Sequence, residues 1–481
     1  MIANALDLAP TLSDEVASVR QIGRTGRRKL SNACYHSLAM FLRILTAWLI
    51  LAGATYAQTA DEFDIFIRPY VASNNFSGNV LIEHHGKVVF QRSYGYLDRE
   101  HKRSNGDTTQ FHIASVSMQY TSAAVLRLID QHKLTLETTI GNLLPKTPGA
   151  EKMTVSDLLL QQSGLDDINS HSDYGEVLQH HQTPASLVAQ IDGHSLSFPP
   201  GTKHAREEHS AFNVLALLLE KMTGHAFPEA LEETLLRPLS LNATYADDDG
   251  TASPSTAHGY QPNAVADLEP APAIHWSAKV GNASIVTTTS DELRLIHALF
   301  DGNFLDSQVR GRLLETMPRV GYGWFRSESK DFDAPTYYMN GRAPGFASYV
   351  MHIPQKALTV IVFSNIYSSA PSDIGDGLAR VALGLPHKTF HPLVKAPKPV
   401  KRSLQFRFPV DFYQPNAKMT MFSRNGDTFM RWPSGDLSPL IPTGADEWVD
   451  RSYWEPVRLD RDPSGMPAAL YYDRFRGDLV P

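Results

Sequence analysis

The stretch from Phe212 to Met222 is apolar on nearly every side and stops at Gly224. A helix without a polar face has to be enclosed by other elements, and a glycine just past its end supplies the left-handed residue that closes many helices. The chain must therefore build a core deep enough to swallow a whole helix. Its 481 residues suffice for one large core and a second, smaller one. Around this helix the pattern changes period. Val80 and Ile82, then Val88 and Phe90, alternate with polar residues on either side of His85-Gly86-Lys87, which predicts an antiparallel hairpin within 76–98. Ala124, Val125, Leu128 and Ile129 fall at helical spacing between Gln119 and His132, in a helix that carries Ser115 at its start. A further helix within 281–299 has Ser290 or Thr289 as its N-cap. Two apolar strands, Tyr349–Ile353 and Leu358–Phe363, turn at Pro354-Gln355-Lys356. The sum is an α+β fold with a helical lobe packed on an antiparallel sheet.

Four segments follow from composition. Arg43 precedes an apolar run from Ile44 to Ala54, and small residues flank Tyr56, so 1–57 is expected to be a presequence with a signal peptide cleaved after Ala57. Its better start is Met40, and an uncleaved anchor is the alternative and the sole membrane contact foreseen. Arg27-Arg28 fits a twin-arginine signal poorly. Residues 58–385 form the main domain. The segment 386–402, rich in proline and lysine, is expected as an extended linker. Residues 403–481 hold short β-prone pieces separated by Asn-Gly and Ser-Gly turns, which predicts a small antiparallel barrel or sandwich. A net charge of −7 with no basic stripe argues against a nucleic-acid partner. The single cysteine, Cys34, excludes an internal disulfide and a cysteine zinc cluster. A periplasmic or secreted location is the expectation.

Three stretches bear on chemistry. Ser115-Val116-Ser117-Met118 opens the first long helix, Pro200-Gly201-Thr202 and His204-Ala205-Arg206-Glu207-Glu208-His209 precede the buried helix, and Met339-Asn340-Gly341-Arg342-Ala343-Pro344-Gly345-Phe346 lies near the closing strands. Gln161-Gln162-Ser163-Gly164-Leu165 stands between the first two. In this order they resemble the serine β-lactamase and penicillin-binding-protein family, in its class C-like esterase branch, over roughly 76–385. The resemblance implies a β-lactamase/transpeptidase domain, followed by the small C-terminal β-domain often found in that branch. It also implies a serine nucleophile at Ser115, a lysine three residues on that moves its proton, a Tyr-x-Asn before the buried helix, and a His-x-Gly or Lys-Thr-Gly on the strand beside the cleft.

Each of the three departs from the pattern. Met118 stands where the lysine belongs, and a thioether carries no titratable proton. The Tyr-x-Asn register gives Glu207 and His209 when counted back from Glu220, or Arg206 and Glu208 when counted forward from Pro200. Met339 replaces the cation or imidazole of the third motif, while Gly341 and Gly345 persist. The main expectation is a non-catalytic member that keeps fold and cleft, with Met339, Gly341 and Gly345 at the cleft, binding a peptide, a cell-wall fragment or a partner protein. The alternative is a serine hydrolase of esterase, peptidase or β-lactamase type in which His209, oriented by a carboxylate such as Glu207, serves as base for Ser115. A third reading gives the working role to the C-terminal domain. Ser117, two residues along the helix, is expected to point away from the cleft.

No cofactor and no metal are expected. His84-His85 and His180-His181 read as surface histidines, and His204 with His209 do not fit His-Glu-x-x-His. Asp247-Asp248-Asp249-Gly250 lacks the alternation of a calcium loop and reads as a solvated acidic turn. Trp432, Trp448, Tyr453 and Trp454 either line a sugar or peptide groove or form the core of the small β-domain.

Overall fold

The computed structural model describes residues 60–480 apart from 204–207, 251, 315–316, 329, 394–399, 401, 410–411 and 413–415. The presequence reading, Cys34 and Glu207 lie outside the described residues. The hairpin forms as expected from strand β1 (Gly78–His84) to β2 (Lys87–Tyr94), turning at His85 and Gly86. The sequence then builds helix α1 (Ser117–Asp130), the buried helix α2 (His209–Thr223) and helix α3 (Thr289–Phe300). Strands β3 (Val320–Gly321), β4 (Trp324–Ser327), β5 (Thr336–Ala343), β6 (Phe346–Ile353) and β7 (Leu358–Ser364) return the chain to the sheet, and helix α4 (Ala370–Ala382) covers it. The sheet runs β3-β4-β5-β6-β7-β1-β2, with each neighbouring pair antiparallel.

The central strands β6 and β7 are buried at every position because both sheet faces are covered. One face carries the helical lobe, whose core joins Val125 and Leu128 of α1 to Phe212 and Leu215 of α2. The other carries a helix over 60–72 and α4, with Phe63, Phe66, Ile374 and Leu378 packed on Val360 and Val362. All residues of α2 from Ser210 to Leu219 are buried, and Gly224 closes it at φ 79°. The helix with no polar face has become the axis of the lobe.

Two local expectations are corrected. Ser115 does not open α1. It lies in a one-turn 3-10 helix, Ala114–Val116, that precedes it. The N-cap of α3 is Thr288, whose hydroxyl accepts the Asp291 N–H at 3.2 Å, because the chain leaves its preceding strand still extended at that residue.

The C-terminal segment closes into an eight-stranded antiparallel barrel: β8 (Leu404–Arg407), β9 (Lys418–Arg424), β10 (Asp427–Arg431), β11 (Leu437–Pro442), β12 (Glu447–Asp450), β13 (Pro456–Arg461), β14 (Pro467–Tyr472) and β15 (Phe475–Leu479). Closure removes the exposed edges that a short sheet would otherwise present. Trp448, Met430 and Leu470 fill its interior. The segment between the sheet and the barrel is anchored where it is described: the Phe390 ring lies 4.8 Å from Tyr70 and 5.1 Å from Trp454.

Arg451 rivets the barrel to the front of the molecule. The side chain is fully buried, and its guanidinium donates to Asn75 Oδ1 at 2.7 Å and to the carbonyls of Asn74 at 2.7 Å, Asp267 at 2.6 Å and Ala264. Burial pushes the guanidinium down to about 10, so it remains charged at neutral pH. All four acceptors belong to the front part of the chain, and removing the cation takes away a donor from the buried Asn75 side chain and from three partly buried carbonyls. Replacing Arg451 with Met is expected to cost about 3 kcal/mol, measured as a shift of the urea midpoint. A change within experimental error would mean that the barrel does not depend on this rivet.

Candidate active site and its cleft

Ser115 is held where a strand backbone presses against a helical turn. Ala114, just before it, adopts φ 49°, a left-handed conformation that an alanine takes only where neighbours impose it. Gly341 on β5 is one such neighbour. A Cβ there would stand 2.7 Å from Ser115 N and 2.8 Å from Ile113 O, so only glycine lets the strand come this close. Ser348 on β6 completes the clamp by donating its hydroxyl to Ile113 O at 2.6 Å. Ser115 is 8% exposed and borders the cleft. Ser117 instead turns inward, fully buried, and accepts the Ile285 N–H at 3.0 Å.

The two methionines lie inside the core. Met118 has no exposed surface and Met339 has 1%, and both belong to one apolar cluster with Tyr322 and Trp324. Residues alternate along β5, so Met339, Gly341 and Ala343 face the helical lobe while Tyr338, Asn340 and Arg342 face the cavity. Met339 is thus a core residue and does not line the cavity. Gly345 is not among the residues lining the cavity; at φ 83° it lies against Gly259, where a Cβ would meet the Gly259 Cα at 2.5 Å.

At the start of α2, Glu208 and His209 face different partners. Glu208 is not solvated. It is 3% exposed and clamps the Ser163-Gly164 turn, accepting Ser163 N–H at 3.1 Å, Ser163 O–H at 2.8 Å and Gly164 N–H at 3.0 Å. Burial raises its carboxyl above the usual range, against these three donors. His209 takes the other direction and borders the same cavity as Ser115. Its Nδ1 lies 3.0 Å from Asp167 Oδ2, so the carboxylate that orients the ring is Asp167. With Nδ1–H donated to Asp167, the basic nitrogen of the neutral ring is Nε2. No direct hydrogen bond joins His209 to Ser115 among the described residues.

The cavity has a volume of about 1010 Å3 and runs from Ser115 and His209 along the outward face of β5 to the barrel. Trp432, Tyr453 and Trp454 form its far wall, so three of the four aromatics singled out from the sequence line a cavity, whereas Trp448 fills the barrel core. Arg342 is packed among them, its guanidinium carbon 4.4 Å from the Tyr453 ring centre and 4.9 Å from that of Tyr367. Glu455 on the same wall is pushed up to about 7 by burial and by neighbouring carboxylates.

Residues 63–384 match the family model described as "Beta-lactamase". The chain belongs to the beta-lactamase family. Among curated relatives it is 25% identical over 306 residues to the "Putative penicillin-binding protein PbpX" of Bacillus subtilis, covering 63% of this chain and 74% of that one. It is 28% identical over 197 residues to the "Teichoic acid D-alanine hydrolase" of Staphylococcus aureus, covering 41% of this chain and 48% of that protein. The solved octameric penicillin-binding protein homologue from Pyrococcus abyssi superposes with a TM-score of 0.61 at 18% identity, covering 87% of this chain and 99% of that one. This last likeness concerns the fold.

Within this beta-lactamase fold, several buried or paired charged residues escape the sequence patterns. Asp167 follows the Ser163-Gly164-Leu165 turn, and only the folding of that turn brings it to His209. Lys279 is 7% exposed and donates to Tyr174 Oη at 3.0 Å, with Tyr174 also beneath it as a ring 5.0 Å away. Burial pushes its ammonium down to about 8, while the charge of Asp167 opposes the shift. The acidic turn is solvated in part: Asp248 and Gly250 are exposed, whereas Asp247 and Asp249 are engaged. Asp247 lies 2.8 Å from His112 Nε2, and Asp249 meets His181 at 3.0 Å and His275 at 3.1 Å and accepts the Ser277 hydroxyl. His84 and His85 stack on one another at 4.2 Å in the hairpin turn.

The lowered Lys279 value fixes a sign. Between about pH 8 and 10.5 the unfolded chain holds a proton that the folded chain has released, so stability rises with pH through that window. Below it the full cost of burying the cation is present, on the order of 3 kcal/mol. Relative to a Lys279→Met protein, the wild type is therefore expected to gain about 3 kcal/mol between pH 7 and pH 10.5. Urea denaturation of both proteins at the two pH values checks this, and an equal difference at both would contradict the burial of a charged Lys279.

Proposed function

We propose that this protein is an exported, ligand-binding member of the beta-lactamase family that has given up the family's lysine-based acyl-enzyme chemistry. The observation that carries the reading is the joint burial of Met118 and Met339 in one apolar cluster at the positions of the two motif cations. A serine hydroxyl has a high intrinsic pKa and needs a base beside it to become a nucleophile. Where that base would stand, the core is closed by thioethers. The export signal is the Arg43 and Ile44–Ala54 pattern ending at Ala57.

The cavity supports a ligand that combines a carboxylate with flat or ring-bearing groups, as a peptide or cell-wall fragment does. Arg342 already donates from Nη1 to Ser452 O at 2.6 Å and offers its charge and remaining N–H groups to the carboxylate, and Trp432, Tyr453 and Trp454 offer faces for stacking. The Staphylococcus aureus relative is named for D-alanine on teichoic acid, which makes D-alanyl compounds the first ligands to screen. A D-alanyl-D-alanine-terminated muropeptide is expected to quench tryptophan fluorescence in the wild type, with affinity reduced about tenfold or more in Arg342→Ala. Equal affinity in the two proteins would remove Arg342 from the binding mode.

One observation favours a second reading, hydrolysis through Ser115 with His209 as base. Asp167 and His209 form a dyad of the kind that orients a general base, and His209 borders the same cavity as Ser115. Intact-mass analysis after incubation with a penicillin and with a fluorophosphonate separates the two. No adduct in folded protein is expected from the binding role. An adduct lost in both Ser115→Ala and His209→Ala would establish the hydrolase.

A further inference from the structure

Outside the cleft, three carboxylates among the described residues are each bracketed by two histidines: Asp98 by His101 and His258, Asp166 by His171 and His194, and Asp249 by His181 and His275. The Asp166 set differs from the others in geometry and in what its groups already hold. His171 Nε2 lies 2.7 Å and His194 Nδ1 2.5 Å from the same oxygen, Asp166 Oδ2, and the three donor atoms fall within 4.8 Å of one another. The two imidazoles stack with ring centres 5.3 Å apart. Asp166 has no hydrogen-bond partner among the described residues except these two rings. By contrast, Glu100 beside Asp98 already accepts the Tyr260 hydroxyl at 2.5 Å, and His258 stands 3.9 Å away from Asp98. Asp249 in turn holds the Ser277 hydroxyl as well as its histidines.

We propose that Asp166, His171 and His194 form a binding site for one divalent transition ion of the zinc class. Two imidazole nitrogens and one carboxylate oxygen are the donor set that zinc accepts in three-ligand sites that keep a position open, and the oxygen-seeking ions magnesium and calcium do not favour it. The side chains are 36%, 19% and 48% exposed for Asp166, His171 and His194, so an ion enters from solvent and retains an outward position for water or an anionic ligand. Their backbones are fixed beforehand. Asp166 follows the turn clamped by Glu208, His171 N–H closes its own 3-10 turn on Ile168 O at 3.1 Å, and His194 N–H is bonded to Ile191 O at 3.1 Å. The ion replaces protons. Each ring now presents an N–H to Asp166, and coordination requires that nitrogen's lone pair, so the proton moves to the other ring nitrogen of a neutral imidazole or is released from an imidazolium. Affinity therefore falls as the solution is acidified.

The site also touches the cleft through the chain. Asp167, the next residue, holds His209 in the cavity. An ion on Asp166 anchors that segment, which makes the metal a positioning element for His209 whichever role the cleft has.

The test uses the full-length mature protein stripped with a chelator. Calorimetric titration with Zn2+ is expected to show one equivalent bound, with no binding of Mg2+, and Co2+ is expected to give the visible d–d bands of a low-coordinate site. The His171→Ala/His194→Ala protein is expected to lose at least about tenfold in Zn2+ affinity and to lose the Co2+ bands, while His181→Ala in the Asp249 set retains both. Should the double alanine protein not fold by circular dichroism, His171→Gln/His194→Gln takes its place. Absence of Zn2+ binding in folded wild type, or binding unchanged in the double variant, would overturn the proposal.

Discussion

The close approach of β5 to the turn carrying Ser115 sets the geometry of everything around the cleft. Gly341 permits it, and the hydroxyl of Ser348 fixes it from the next strand. A similar device recurs twice behind the site. A Cβ at Gly323 would stand 2.5 Å from the backbone nitrogen of Gln119, and one at Gly281 would stand 2.2 Å from Phe212 O. The 3-10 turn, α1 and α2 are each touched by a bare backbone. Such contacts leave no room for water and transmit any displacement of one element directly to the next. The result is a rigid serine in a rigid cleft, independent of whether the serine reacts.

Rigidity and charge have been distributed differently. A lysine at position 118 or 339 would have to sit inside the apolar core of the lobe, where an unpaired cation is costly. Methionine fills the same length without that cost and adapts its shape to the gap. The charge this core refuses appears nearby in another form. Lys279 is buried against Tyr174 and within the field of Asp167, which in turn orients His209. Titratable groups thus stand at Asp167, His209 and Lys279, while position 118 on α1 is apolar and enclosed.

Much of the scaffold was legible because period and punctuation are local. The hairpin at His85-Gly86, the buried helix ending at Gly224 and the strand pair around Pro354 follow from alternation and from turn residues in a single window. The barrel was legible as a class but not strand by strand. Leu437–Pro442, with prolines inside it, and the short Glu447–Asp450 pass for loops until their neighbours close the ring. At the site, Met118 and Met339 could be read as apolar residues, but where the fold buries them could not. Which face of β5 is the cleft depends on pairing with β6, and that pairing put Met339 inside and Arg342 outside. Asp167 and Lys279 carried no motif at all. They are separated by 112 positions in sequence, and only the packing of distant turns makes them neighbours.

The histidine pairs extend the same logic to the behaviour of the lobe in acid. Hydrogen bonds from His194 and His171 hold the Asp166 carboxyl below the ordinary range, and at Asp249 the Ser277 hydroxyl, with His181 and His275, does so against the opposing effect of burial. A carboxylate with a lowered folded-state pKa contributes stability above its ordinary value of 3.8 and loses it only as pH falls through the lower, folded value. Mild acid therefore leaves these partly exposed acids ionised. His112 is the opposite case. It is fully enclosed, stacked 3.7 Å from Trp276, and burial lowers its pKa from 6.5 even though Asp247 is bonded to it. The unfolded chain takes up that proton first, so the stability tied to His112 is lost as pH falls below the ordinary imidazole value. His352 on β6 behaves in the same way, buried and pushed down to about 3, so both enclosed imidazoles, one on the strand leading into Ser115 and one in the sheet, draw stability from the structure that acid removes.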